Sequence, residues 1–262
     1  MINSKKKLLI IAFISMVYFP ATYAQTIPIT VSSHMSQVIF DGKWSFTQEW
    51  KESSLTEIEG SYGPIYIRTA HWDNFIYVMI DDVEKNLISK GSDHAIVCFD
   101  SKNDKSEIPD SNDYCFEDIL DSNHAFSFQG GSSLGITGYF SKISIPLGFK
   151  GNSTLSDQHD RYSSIPHPSY EFKIPIELLG RSNVYGFFVS VYDSNNNKYY
   201  SWPTVQGQQN ILEIPSPKYW GTIISPDKSL PEFSIPALII SVSITSVVLI
   251  TKLFSRRLLK IS

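Results

Sequence analysis

Cysteine is nearly absent from this sequence, which has two, Cys98 and Cys115. That is too few for a zinc site unless histidines stand at ligand spacing, and the histidines (His34, His71, His94, His124, His159, His167) are single and scattered. No G-x-S-x-G, no H-E-x-x-H and no cysteine beside a base occurs, so the common hydrolase signatures are missing. No heptad or 3.6-residue apolar stripe runs for any length, which argues against a helical bundle or coiled coil. Basic residues are scarce over the middle of the chain. Of 22 Lys and Arg, only 15 lie between residues 25 and 232, against all 26 Asp and Glu. Nucleic-acid binding needs clustered Lys and Arg, so this stretch excludes a nucleic-acid partner.

Charge of either sign is absent from two apolar runs, one near each end. Leu8 to Phe19 follows Lys5, Lys6 and Lys7 and precedes the small residues of "ATYA". This is the pattern of a secretory signal peptide over residues 1–24, cleaved before Gln25; the run falls short of the roughly 18 residues that a span wants. Phe233 to Thr251 carries no charged residue and is followed by Lys252, Arg256, Arg257 and Lys260. Its length matches a transmembrane helix, and basic residues beside a span stay cytoplasmic. The reading is a signal peptide, an ectodomain over 25–228, a linker at 229–232, a span at 233–251 and a basic cytoplasmic tail at 252–262. The ectodomain then lies on the extracellular face of the cell membrane.

In such an oxidising compartment Cys98 and Cys115 are expected to form a disulfide. "GNST" becomes an N-glycosylation acceptor at Asn152.

What is abundant is strand-length apolar and aromatic sequence. "PIYIRTAHW", "FIYVMID", "HAIVCFD", "YEFKIPI" and "YGFFVSVYD" are rich in Ile, Val, Phe and Tyr. Turn chemistry separates them at Asp41-Gly42, Asp73-Asn74, Gly130-Gly131 and Asp193 to Asn197. One helical turn, "PIELLG", opens on Pro and closes on Gly. The fold class is therefore all-β, a two-sheet antiparallel sandwich of jelly-roll type. "FIYVMI" is apolar on both alternating faces and should be a central strand covered on both sides. Residues 130–169, rich in Gly, Ser, Pro and Asp, read as a long excursion.

Three constellations are candidates for binding. Asp100, Asn103, Asp104, Glu107, Asp110 and Asp113 crowd a loop that a Cys98–Cys115 bridge would pinch. Calcium takes six to eight oxygen ligands from such loops, so a structural calcium ion is one reading and a solvated acidic loop the other. "YDSNNNKYY" echoes the start of a calcium loop, but Lys198 and Thr204 stand where Gly and Glu are required, and a hairpin turn explains it better. Of the tryptophans, Trp72 and Trp202 sit beside turns and are the candidates for exposed stacking platforms for a sugar.

Four pieces occur in an order that resembles the family 9 carbohydrate-binding-module-like sandwiches: "IFDGKWSFTQEW", "WDNFIYVMIDD", "YEFKIPIELL", and "GFFVSVYDSNNNKYYSWP" with "KYWGTI". The resemblance implies an extracellular β-sandwich, non-catalytic and glycan-binding, in some members with calcium. It also includes a haem-binding electron-transfer branch, for which Met79 is the residue of ligand type on a strand. A surface glycan hydrolase is a further alternative. The triplet Pro231-Glu232-Phe233, a short span and the pair Arg256-Arg257 resemble the PEF-type C-terminal sorting signal of archaeal surface proteins. That resemblance implies a sorting transpeptidase as partner and a lipid in place of the span; a permanent single-pass anchor is the other reading.

Overall fold

A computed structural model describes residues 25–122, 124–132, 140–204 and 214–226. The expected signal peptide, linker, span and tail, with Pro231, Glu232, Phe233, Arg256 and Arg257, lie outside the described residues. Among the described residues no helix is long and apolar enough to cross a membrane.

The strands in chain order are β1 (Thr26–Pro28), β2 (Thr30–Val31), β3 (Ser54–Glu59), β4 (Pro64–Trp72), β5 (Phe75–Asp82), β6 (His94–Asp100) and β7 (Asp113–Ile119). They continue with β8 (Ala125–Gln129), β9 (Ser141–Ile143), β10 (Lys150–Leu155), β11 (Pro168–Pro175), β12 (Val184–Asp193), β13 (Lys198–Trp202) and β14 (Gly221–Ile224). One helical turn, α1 (Ile176–Leu179), follows β11 as expected from its Pro and Gly boundaries. The larger sheet runs β1-β14-β12-β6-β7-β8-β9, with β13 also on β12; the smaller runs β10-β11-β5-β4-β2, with β3 also on β4. The protein is a two-sheet β-sandwich.

Two pairings depart from the antiparallel expectation. β1 lies parallel to β14 in the larger sheet and β2 parallel to β4 in the smaller. Ile29, fully buried between them, is where the chain changes sheets; its N–H donates to Ile224, and Ser32 N–H donates to His71. The excursion over 130–169 is corrected too, because it supplies β9 and β10. β10 reads "KGNSTL", too polar and small to show as a strand, because it is an edge strand paired on one side with β11. The Asp193–Asn197 stretch is a hairpin turn between β12 and β13, with Asn197 at φ 52°.

Side chains alternate between an inner and an outer face along each strand. The core between the sheets takes Ile76, Val78 and Ile80 from β5, Ala95, Val97 and Phe99 from β6, and Phe187, Val189 and Val191 from β12. The outer faces are also covered. On the larger sheet Ile96, Cys98, Cys115 and Phe188 pack under Phe140, Ile214 and Trp220. On the smaller sheet Ala70, Tyr77 and Met79 pack under Met35, Trp44 and Trp50. β5 is thus central and covered on both sides, as its sequence indicates. Met79, 1 % exposed, is a packing residue of that cover.

The cover on the smaller sheet is fixed by a buried carboxylate. Glu171 on β11 accepts the indole N–H of Trp50 at 2.8 Å and the backbone N–H of Gly42 at 2.8 Å. Burial pushes its pKa well above the usual carboxylate range. Gly42 sits at φ +87°, and a Cβ there would come within 2.6 Å of the Ser153 backbone, so only glycine allows this approach. Within the cover, Glu49 accepts the N–H groups of Ile39 at 2.7 Å and Ser45 at 2.6 Å.

Cys98 and Cys115 face each other in register on β6 and β7 and form the expected disulfide. It closes a loop with a sequence separation of 17, which by chain entropy contributes about 3 kcal/mol. Reduction, or Cys98→Ala with Cys115→Ala, should lower the melting temperature by about 6–12 °C. An unchanged melting temperature in reductant would refute that contribution. Glu171→Ala leaves two buried donors without an acceptor and should cost about 2–5 kcal/mol by urea denaturation. A cost below about 1 kcal/mol would mean that the cover is held by its apolar contacts alone.

Candidate functional site

The outer face of the smaller sheet is a grid of rows across β4, β5 and β11. The rows are Tyr66–Asp81–Ser169, Arg68–Met79–Glu171, Ala70–Tyr77–Lys173 and Trp72–Phe75–Pro175. Residues 33–53 cover the middle rows. Residues 156–167 cover the first, where Tyr162 stacks on Tyr66 at 4.1 Å and its hydroxyl takes two N–H bonds from Arg68 at 2.9 and 2.6 Å. The last row is left open. It forms the floor of a groove of about 530 Å³ that includes Trp72, Phe75 and Tyr77.

The groove is positioned by the β4–β5 hairpin. Asp73 turns the chain at φ 53°, a conformation Asp tolerates, and brings Trp72 and Phe75 into register as a cross-strand aromatic pair. α1 ends at Gly180 and delivers Arg181, which hydrogen-bonds the Asn74 side chain and reaches the groove. Lys173 places its Nζ 3.9 Å from the Phe75 ring centroid, and burial, then Lys150, lowers its pKa. Burial and, less, Asp73 push Tyr77 up to about 12, so its hydroxyl stays protonated. His71 and Ser36 complete the polar lining. The groove therefore offers the half-buried rings of Trp72 and Phe75, with Tyr77 buried behind them, beside one carboxylate, one guanidinium and one ammonium. Aromatic faces take the C–H face of a pyranose, and the flanking polar groups take hydroxyls. Hydrolysis of a glycosidic bond calls for two carboxyl groups, whereas this lining has Asp73.

Trp72 lies half-buried in the groove. Trp202 does not join it. It is 8 % exposed, paired in register with Val189, and its indole packs 6.0 Å from Phe187 in the inner core. Proximity to a turn does not expose a side chain whose strand phase points inward.

In the acidic loop the side chains are partly enclosed. Asp100 and Asp113 are in register across β6 and β7 and fully buried. Asp100 accepts the backbone N–H groups of Lys102 and Lys105, and Asp113 accepts that of Asp110 at 2.7 Å. Asp110 and Asp104 accept from the Asn112 amide, and Asn103, at φ 52°, lies 3.5 Å through Oδ1 from the Thr222 hydroxyl. Glu107 pairs with Lys218 at 2.5 Å. These carboxylates organise the loop, while Asp113 Oδ1 and Asn112 Oδ1 are buried there without a hydrogen-bond partner. Among the described residues, the acidic and histidine side chains whose ligand atoms lie within 4.8 Å of one another are Asp81, Asp160 and His167.

Asn152 lies on β10, not on a loop, and its amide donates to the Phe40 carbonyl at 3.0 Å. A glycan on that nitrogen would compete with this bond.

No protein-family model and no curated protein matches this chain. Among solved structures, a family 9 carbohydrate-binding module from Caldicellulosiruptor kristjanssonii in complex with glucose matches with a TM-score of 0.48 at 15% identity, over 77% of this chain and 95% of that one. The cellotriose complex from the same source matches with a TM-score of 0.48 at 15% identity, over 80% and 100%. At such scores and identities these matches carry no information on ligand, and the fold rests on the strand pairing itself.

Sequence reasoning missed Asp81, Asp160 and His167, and also Lys85, which is buried and paired with Asp193 and Asp93. The one local signal was His167 between Pro166 and Pro168, a fixed backbone around a titratable side chain.

Burial above all pushes Asp113 and Asp118 each up to about 7. Such groups bind more protons folded than unfolded, so stability falls as pH rises from about 4 to 7. Asp157 and Glu107, held low by lysine partners, act oppositely but lie at the solvent, where such pairs count for little. The melting temperature should therefore be higher at pH 5 than at pH 8, and Asp113→Asn should flatten the difference. A protein more stable at pH 8 would contradict this assignment.

Proposed function

We propose that this protein is a non-catalytic, glycan-binding β-sandwich module held at the outer surface of a cell. The observation that carries the binding is the groove floored by the half-buried rings of Trp72 and Phe75 and flanked by Asp73, Lys173 and Arg181. It is the part of the smaller sheet's outer face that the covering segments leave free, and its chemistry suits a saccharide. The redox alternative has less support, because Met79 is enclosed under the cover. The hydrolase alternative lacks a second carboxylate in the groove.

The surface location rests on the sequence: the signal-peptide pattern, the uncharged run Phe233–Thr251 and the basic residues behind it. The Cys98–Cys115 disulfide supports an oxidising compartment. Whether the anchor is the span itself or a lipid that replaces it after transpeptidation at Pro231-Glu232-Phe233 is decided by the intact mass of the mature protein.

A glycan array followed by calorimetry tests the binding. Trp72→Ala should weaken affinity for the best saccharide by about tenfold or more. Arg181→Ala should weaken it also, with the far-UV spectrum unchanged. An array blank at millimolar saccharide, or affinity indifferent to Trp72→Ala, would exclude this groove as a glycan site.

A further inference from the structure

Asp81, Asp160 and His167 meet beneath the segment of residues 156–167, at the end of the smaller sheet opposite the groove. Asp81 points outward from β5, and His167 precedes β11, whose Ser169 is the register partner of Asp81. Asp160 comes from the covering segment, where its Oδ1 accepts the N–H groups of Tyr162 at 2.7 Å and Ser163 at 3.0 Å. All three side chains are at most 2 % exposed.

The protons among them do not balance. His167 Nδ1 lies 2.8 Å from the Ile165 carbonyl, which can only accept, and 2.8 Å from the Ser156 hydroxyl. Nδ1 therefore carries a proton, in the neutral ring and in the imidazolium alike. In the neutral ring Nε2 directs a lone pair at Asp81 Oδ1, 2.7 Å away, with Asp160 Oδ1 at 3.9 Å. A proton or a cation has to lie between them. A proton on Nε2 compensates one carboxylate only, so the other needs a second proton or a cation, and both Asp81 Oδ2 and Asp160 Oδ2 are buried without a hydrogen-bond partner. Among the described residues neither carboxylate pairs with Lys or Arg. Arg68, in the neighbouring row, is engaged by the Tyr162 hydroxyl and the carbonyls of Trp50 and Ser53.

We propose that Asp81, Asp160 and His167 bind one divalent transition-metal ion, zinc by their donor set, which pins residues 156–167 to the smaller sheet. Such an ion neutralises both carboxylates and takes the Nε2 lone pair. The Nδ1–H bond to a backbone carbonyl is the outer contact that orients a ligating imidazole. One imidazole nitrogen with two carboxylates suits zinc, whereas calcium takes an all-oxygen set. Zinc bonds of about 2.0–2.2 Å set tetrahedral ligands roughly 3.4 Å apart. The short Nε2–Asp81 contact opens and the longer Nε2–Asp160 contact closes, each by less than an ångström. The enclosure makes the role structural, and the proposal stands apart from the groove and from what the groove binds.

The test uses the untagged full chain produced in zinc-supplemented medium. Elemental analysis should find about one zinc per chain after gel filtration. Removal by EDTA should lower the melting temperature by about 5 °C or more, and zinc alone should restore it. Asp160→Asn keeps an oxygen for the Tyr162 and Ser163 N–H groups and should abolish the bound zinc. If that variant fails to fold, the chelation and readdition of zinc on the unaltered chain decide. A metal-free chain whose melting is indifferent to EDTA, zinc and manganese overturns the proposal and leaves a proton-sharing triad. Full zinc retention in a folded Asp160→Asn variant also overturns it.

Discussion

The hydrogen bonds from Trp50 and Gly42 to Glu171 are the constraint on which the rest of the smaller sheet depends. A carboxylate on the outward face of a central strand belongs in water. Here it is buried, so it has to be given donors, and the segment over residues 33–53 supplies them. Once fixed at that point, the segment lays Trp44, Trp50 and Met35 over Ala70, Tyr77 and Met79. That apolar burial, at about 25 cal/mol per Å², far outweighs the polar bonds in energy, but the bonds decide where the cover sits. The same division holds in the neighbouring row, where Arg68 reaches out to Tyr162 and to the Trp50 carbonyl and joins the two covering segments. The groove is the remainder: the cover ends at Trp72 and Phe75, which pack against its edge and stay half-buried.

How much of this was legible in the sequence depends on the range of the interaction. β5 could be read as a doubly covered central strand because the pattern is local, six residues with both faces apolar. The disulfide could be read because two cysteines in one compartment have one partner each. β10 could not, because an edge strand of small polar residues carries no apolar period, and its place comes from backbone pairing with β11. Trp202 was misjudged because its exposure depends on strand phase, which shifts by a face with each residue. The carboxylates of the acidic loop were legible as a cluster but not as to purpose, since residue type does not say whether an oxygen faces an amide or an ion. Asp81 and His167, 86 residues apart, could be joined only by the fold.

The polar side chains that the sequence scattered are sorted by the sandwich into two ends of β5. At the hairpin end Lys173 and Arg181 stand near the aromatic row. At the other end Lys85 is buried with Asp93 and Asp193, tying the β5–β6 connection to the β12–β13 hairpin. A buried ammonium between carboxylates contributes little net free energy against an apolar replacement, yet losing one partner is costly. Its effect is to fix one arrangement of those connections, so that the opposite end can stay open without loosening the sheets.

The exchange of sheets at Ile29 has a mechanical consequence. β14 lies between β1, parallel, and β12, antiparallel, and is the last strand before residue 226. A pull applied along β14 would load its ladders on both sides in shear, all bonds together, instead of peeling them one at a time. Because β1 continues through Ile29 into β2, the load passes to the second sheet as well. A module hung by this end would resist drag through the two strands that close its sheets.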